Sequence, residues 1–181
     1  MSGIYLVMSD THDNLNMLGK LMDRIKGISF NGIIHLGDLV SPFTLKYLIS
    51  KVKSPIIILG NNDGDKILLS RTYPNILEQP VELKIGNLHV LLLHGFGSKD
   101  FTYKIVKALA RGADYDIIMY GHTHEAKVEV INKTLVFNPG TVSGYLSDKC
   151  TYGILDLSKY IVKVIDINTG EVIIEQEVPR R

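Results

Sequence analysis

The sequence has a single cysteine, Cys150, which excludes an internal disulfide framework and any zinc cluster built from cysteines. A reducing compartment, the cytoplasm, is the expected setting. Lysine and arginine (20) nearly balance aspartate and glutamate (19), for a formal net charge of +1. No overall charge excess draws the surface to a nucleic-acid polymer or an anionic membrane, although a local site can still bind anions. No apolar run approaches the roughly 18 residues of a membrane span. The apolar stretch 1–8 is too short for a secretory core with its basic flank and cleavage site. Repeats, low-complexity stretches and linkers are also missing, so residues 1–181 are expected to form one domain. With 45% hydrophobic and 22% charged side chains, that domain can bury a core.

Short apolar runs at 4–8, 33–36, 56–59, 90–93 and 117–120 alternate with segments of helical period. This is the pattern of β-α units feeding a mostly parallel, buried sheet. Leu15, Leu18, Leu21, Met22 and Ile25 mark one helical face, and Leu45, Leu48, Ile49 and Val52 a second. Ser41-Pro42 reads as a cap and first-turn pair, because the hydroxyl can accept an orphan N–H and proline has none to satisfy. A third helix is expected over 100–111, with Gly112 as its stop. After Glu125 come β-branched runs at 127–131, 135–137, 151–157, 161–167 and 172–178. Asn132-Lys133 and Asn168-Thr169-Gly170 sit between them as hairpin turns, so a second, largely antiparallel sheet is expected to pack on the first.

Each early apolar run is followed at once by residues able to bind metal: Asp10 and His12, then Asp38, then Asn61, Asn62 and Asp63, then His94, then His122 and His124. In α/β folds, sites form where the carboxyl ends of strands meet, so one converging cluster is the economical reading. Asp is a hard oxygen donor, neutral His suits Mn, Fe, Ni or Zn, and an Asn carbonyl adds a ligand without charge. Two divalent ions about 3.5 to 4 Å apart can clamp a phosphoryl group and lower the pKa of a bound water toward ~7. Asp10, Asp38 and a bridging hydroxide would leave such a centre net positive. An anionic phosphate ester therefore fits it better than a neutral peptide.

Taken singly, these motifs have plainer readings. Asp10 could cap the helix near Asn14, and 61–64 could be an ordinary turn. Asp63 could orient Asn62 or a ligand, or cap the helix containing Ile67 and Leu68. His35, close in sequence to Asp38, could support a ligand, but a buried, hydrogen-bonded core residue is the plainer reading, and His89 reads as structural or exposed. Asn138-Pro139-Gly140 reads as a turn, Cys150 as inert, and the lysines of 99–107 as a solvated helix face. Jointly, in this order at successive strand ends, the motifs outweigh the plain readings.

The set Asp10-x-His12, Gly37-Asp38, Gly60-Asn61-x-Asp63, His94-Gly95 and Gly121-His122-x-His124 resembles the calcineurin-like metallophosphoesterases. The compact length is similar to their small bacterial and archaeal phosphodiesterase branch. The resemblance implies a four-layer α-β-β-α sandwich, an α/β fold of two mixed sheets flanked by helices. By motif position Asp10, His12, Asp38 and His124 would hold one divalent ion. Asp38, Asn61, His94 and His122 would hold the other, with Asp38 bridging. Manganese or nickel is expected, with iron, zinc or magnesium as alternatives, and a metal-activated water or hydroxide would attack phosphorus.

Two departures from the family pattern bear on substrate. Asn62 stands where relatives commonly carry a His that contacts phosphate and protonates the leaving oxygen, and an amide has no titratable proton. Diesters or esters with good leaving groups are therefore expected over alkyl monoesters. Phe96 replaces a second His carried by some relatives, which makes it a candidate aromatic facing the substrate. The expected activity is phosphodiester hydrolysis of a small substrate, with Asp38 and Asn62 in the catalytic machinery. Long nucleic acid is disfavoured, no membrane partner is expected, and a homo-oligomer is allowed. The alternatives are a nucleotide phosphatase, or a non-catalytic interaction scaffold like the retromer subunit of the same fold.

Overall fold

A computed structural model of the chain describes residues 3–180. Met1, Ser2 and Arg181, the outermost residues of the expected domain and of the N-terminal apolar stretch, lie outside the described residues. In chain order the elements are β1 (Ile4–Met8), α1 (Leu15–Arg24), β2 (Gly32–His35), α2 (Pro42–Lys51), β3 (Ile56–Ile57), α3 (Lys66–Thr72), β4 (Val81–Ile85) and β5 (Leu88–Leu93). They continue with α4 (Lys99–Gly112), β6 (Ile117–Tyr120), β7 (Ala126–Ile131), β8 (Thr134–Pro139), β9 (Thr151–Asp156), β10 (Ile161–Asp166) and β11 (Val172–Glu177).

The strands form a 6-stranded sheet in the order β11-β10-β9-β1-β2-β3 and a 5-stranded sheet in the order β4-β5-β6-β8-β7. Both are mixed: β1, β2 and β3 run parallel, as do β5, β6 and β8, and antiparallel strands complete each sheet. The expected division into an early parallel and a late antiparallel sheet is therefore wrong. β5 and β6 belong with β4 to the second sheet, while β9 returns to pair antiparallel with β1, Ile4 opposite Asp156. The late strands do pair antiparallel with sequence neighbours, as their texture predicts, but they divide between the sheets, β7 with β8 in one and β9, β10 and β11 in the other.

Alternation along the strands builds the layers. Val7, Ile34, Leu36, Val90, Leu92, Ile117, Met119 and Phe137 fill the space between the sheets. Leu6 and Met8 point the other way, onto Leu18 and Leu21 of α1, Leu45 and Leu48 of α2 and Leu69 of α3. Leu91, Leu93, Ile118 and Tyr120 take the outer face of the second sheet, against Val106 and Ala110 of α4. A strand turns successive side chains to opposite faces, so one run of apolar residues serves two layers and the sandwich has helices outside both sheets.

The helix ends follow their capping chemistry. Ser41 accepts from the Phe43 N–H and Pro42 opens α2, as expected, while Asn14 and Asp65 cap α1 and α3. Those caps remove the plain readings of Asp10 and Asp63 as helix caps. Asn132 and Lys133 both lie at positive φ, 47° and 71°, as a two-residue turn between twisted strands requires. Asn138 and Pro139 belong to the end of β8 and only Gly140 turns away, which corrects the reading of that tripeptide as a simple turn.

Candidate metal centre

All the candidate ligands lie at one end of the sandwich, on loops leaving the carboxyl ends of parallel strands. Asp10 and His12 follow β1, Asp38 follows β2, Asn61 follows β3, His94 follows β5, and His122 and His124 follow β6. The loops are stitched together through their backbones. Asp10 N–H donates to Gly37 O and His12 N–H to Asp38 O, each at 3.0 Å, and Gly121 N–H donates to His94 O at 3.0 Å. His122 N–H donates to Asp10 Oδ2 at 3.1 Å, which ties the two sheets across the site.

The ligand atoms of Asp10, His12, Asp38 and His124 all fall within 4.8 Å of one another. His12 Nε2 is 3.1 Å from His124 Nε2 and 3.5 Å from Asp38 Oδ2, and His124 Nε2 is 3.3 Å from Asp10 Oδ1. On the other side of Asp38, His94 Nε2 lies 3.3 Å from Asp38 Oδ2 and 3.0 Å from Asn61 Oδ1, which is itself 2.7 Å from His122 Nδ1. Asp38 thus stands between the two groups, Oδ2 facing His12 and His94.

The imidazoles are aimed by their far nitrogens. His94 Nδ1 donates to Leu36 O, His124 Nδ1 to Tyr145 O and His122 Nε2 to Gly97 O. In the neutral ring this leaves the opposite nitrogen with its lone pair facing the cluster, the orientation a metal ligand needs. Ring nitrogens then face carboxylate and amide oxygens at hydrogen-bond distance, an arrangement that a bound cation, or a proton on the inward nitrogen, reconciles. Asp10 Oδ1 makes the same point, being a buried oxygen without a hydrogen-bond partner among the described residues. The residues present therefore fit divalent cations.

Electrostatics act in the same sense. Burial opposes ionisation of Asp10, yet the imidazoles of His12 and His124 hold its carboxyl well below the usual carboxylate range. Burial likewise opposes the Asp38 charge, but His94 and the two donors of Asn62 lower its pKa. Burial resists a proton on His94 and on His124, and the neighbouring carboxylates outweigh it, raising both. The pocket thus stabilises positive charge at these positions.

The backbone carries strain here. Asp10, His12, Asp38, His122 and His124 all adopt positive φ, between 41° and 66°. Non-glycine residues rarely do so, and such strain persists where surrounding bonds over-determine it. Gly60 is required for a different reason: a Cβ there would lie 2.2 Å from Asp38 Oδ1 and 2.5 Å from Asp38 N.

Several residues that support the centre had weak or ambiguous signals. Asp63 is buried and accepts the N–H groups of Asp38 and Gly60 on Oδ2 and of Val40 on Oδ1, so it fixes the loops that carry Asp38 and Asn61. His35 is fully buried; its Nδ1 accepts from Gly37 N–H and its Nε2 donates to Thr11 Oγ1, which in turn donates to Asp38 O. Asn138 Nδ2 donates to Gly121 O and Thr123 Oγ1, holding the His122 and His124 loop. Gln79, which the sequence did not single out, accepts the N–H groups of His94 and Gly95 on Oε1 and donates to Gly95 O. A lone glutamine before a proline carries no signal of this kind. Its partners become visible only once β4 and the following β5 are paired.

Asn62 is exposed, and both its backbone N–H and Nδ2 donate to Asp38, at 2.8 and 2.7 Å. Its amide is thereby engaged in positioning Asp38. Phe96 is partly buried and packs against the cluster beneath α4. His89 bridges the surface between Glu82 and Asp114 O. Cys150 is half-buried and burial pushes its thiol upward, away from the thiolate form.

A two-sheet sandwich that gathers Asp, His and Asn donors from both sheets at one end defines the class of metal-dependent hydrolytic folds. Residues 4–160 match the calcineurin-like phosphoesterase superfamily domain, and the chain belongs to that family. It is 34% identical over 158 residues to phosphodiesterase MJ0936 of Methanocaldococcus jannaschii, covering 84% of this chain and 92% of that protein. Among solved structures it matches an archaeal phosphodiesterase with a TM-score of 0.73 at 32% identity, covering 90% of this chain and 99% of the other. It also matches vacuolar protein sorting 29 from Cryptosporidium parvum with a TM-score of 0.74 at 20% identity, covering 99% of both chains, a likeness of fold alone. Membership implies divalent metal ions. Among the described residues, no helix is long and apolar enough to cross a membrane.

Proposed function

We propose that the chain hydrolyses phosphate diesters at a dinuclear centre. Asp10, His12, Asp38 and His124 would hold one divalent ion, and Asp38, Asn61, His94 and His122 the other. The observation that carries this reading is the position of Asp38, whose one carboxylate oxygen stands 3.5 Å from His12 Nε2 and 3.3 Å from His94 Nε2. When bound, two divalent ions supply a nucleophile at neutral pH and stabilise developing charge on phosphorus. Manganese or nickel suits the mixed imidazole and oxygen donors.

The chain's own residues set the preference for diesters. Asn62 holds Asp38 and can donate a hydrogen bond to substrate oxygen, but it cannot transfer a proton. Esters whose leaving groups depart without general-acid help are favoured, which selects diesters and activated esters over alkyl monoesters. The diesterase relatives are consistent with this reading.

The test is chelator-stripped protein assayed with bis(4-nitrophenyl) phosphate and 4-nitrophenyl phosphate, with manganese, nickel or no metal added. Metal-dependent turnover, faster on the diester and lost in Asp38→Ala, is expected. No metal-dependent turnover of either ester would replace this reading with an interaction scaffold on the same fold.

A further inference from the structure

The loop 143–148 does more than connect β8 to β9. Ser143 N–H donates to Asp10 O, Asn14 Nδ2 donates to Ser143 O, and Ser143 Oγ accepts from Tyr145 N–H. Tyr145 O then accepts from His124 Nδ1. The backbone of Tyr145 is therefore bonded to the candidate ligand His124 on one side and to Ser143, itself bonded to Asp10 and Asn14, on the other, which anchors the segment that carries its ring beside the ligands. That ring lies 6.2 Å from the His12 ring, tilted by 47°, and the residue is 53% exposed.

An aromatic held beside a charged centre with half its surface open is poorly used as core. Its neighbour Leu146 is 81% exposed, and Phe43 at 75% and Ile67 at 70% are exposed in the first turns of α2 and α3. Those helices begin just after the loops carrying Asp38 and Asn61. The mouth of the centre thus pairs charged residues with exposed apolar ones on the adjoining segments, a combination that suits a phosphate bearing a flat organic group. Asn62 points to the aryl case among these, since phenols and other acidic alcohols leave without a proton donor, whereas for a nucleotide only the binding contact is at issue.

We infer that the Tyr145 ring is a substrate-positioning platform that stacks on a planar aromatic group of the phosphoester, an aryl ring or a nucleobase. The inference rests on the phosphodiesterase reading and adds the substrate class to it.

Calorimetric titration of manganese-loaded protein with methyl phosphate, phenyl phosphate and adenosine 5′-monophosphate tests it without requiring turnover. Methyl phosphate should bind through the centre alone. Phenyl phosphate, the nucleotide, or both should bind about tenfold more tightly, the order expected of one aromatic stacking contact. Tyr145→Ala should remove that advantage while Tyr145→Phe, which keeps the ring, retains it. A gain by phenyl phosphate alone assigns the platform to aryl esters, and a gain by the nucleotide alone to nucleosides. If methyl phosphate does not bind, the metal-centre reading itself fails. If methyl phosphate binds but neither aromatic ligand gains, or if Tyr145→Ala leaves the gain intact, the platform is overturned and the centre stands. A change of elution volume on gel filtration in Tyr145→Ala would assign the apolar mouth to contact with a second copy and overturn it equally.

Discussion

The two halves of the candidate centre are unequal. In the half formed by Asp10, His12, Asp38 and His124, the carboxylates and His124 are buried and the donor atoms lie within 4.8 Å of one another. In the other half His94 is buried, but Asn61 is exposed, His122 is half-buried, and the only carboxylate is the shared Asp38. A cation in the first half meets two negative charges away from water, where Coulomb attraction is least screened. In the second it meets one, with a neutral amide and access to solvent. On the dinuclear reading, the first half would hold its ion the more tightly, and the second would exchange its ion the more readily.

The most damaging test removes what the halves share. Asp38→Ala should abolish tight binding in both and lower diester turnover by about 10³-fold or more. Metal content by mass spectrometry and a melting curve would separate lost chemistry from lost fold. Next in size, Asp10→Asn and His122→Ala break the comparison from opposite sides. Asp10→Asn should weaken the tighter binding step, and His122→Ala should leave that step and remove the weaker one, each costing about 10²-fold in turnover. Equal affinities for both steps in the unmodified protein would dissolve the distinction.

How much of this was legible beforehand follows from where each signal resides. The ligands could be read because each follows an apolar run, and in an α/β fold strand ends converge. The layered architecture came from the resemblance, and the β-α order from apolar runs alternating with segments of helical period. Sheet membership could not be read: the period of 151–157 specifies a strand but not that it pairs with β1. β4 was missed although Val81, Leu83 and Ile85 alternate with Glu82 and Lys84, the period-two signal of a strand half exposed at a sheet edge. The aiming of His94, His122 and His124 rests on the carbonyls of Leu36, Gly97 and Tyr145, and a backbone carbonyl has no signature in the side-chain sequence.

The supporting residues sharpen the comparison further. Asp63 serves the shared bridge and the open half at once, because its carboxylate holds the N–H groups of Asp38, Val40 and Gly60. Asp63→Asn replaces one acceptor oxygen by a donor and leaves at least one buried N–H without its partner. A loss of about 2 kcal/mol in denaturant unfolding is expected, with weaker metal binding in the open half as Gly60 and Asn61 shift. Unchanged stability would mean that the three bonds contribute little. Smaller again, Asn62→His should introduce a titratable proton and move the ratio of monoester to diester turnover by about tenfold toward monoesters. It also removes the Nδ2 bond to Asp38, so total activity should fall while the ratio rises. An unmoved ratio would show that the missing acid does not set the preference.

The smallest effect lies beneath the tight half, at His35. Its Nδ1 accepts from Gly37 and its Nε2 donates to Thr11, so the geometry specifies a neutral ring, and burial pushes its pKa down to about 4 from the ordinary 6.5. Above pH 6.5 the ring is neutral folded and unfolded, and its protonation adds no pH dependence. Below 6.5 the unfolded ring takes a proton that the folded ring refuses until about pH 4, so stability falls as pH falls through that window and levels off beneath it. One pH unit below 6.5 the loss is about 1 kcal/mol. His35→Asn keeps an acceptor for Gly37, loses the bond to Thr11 and cannot titrate. It should be less stable than the unmodified protein at pH 7, with the gap narrowing by about 1 kcal/mol at pH 5.5. Acid release of metal affects both proteins and cancels in the difference between their urea midpoints. A gap independent of pH would mean that His35 carries its proton in the fold, and that Gly37 is held by some other acceptor.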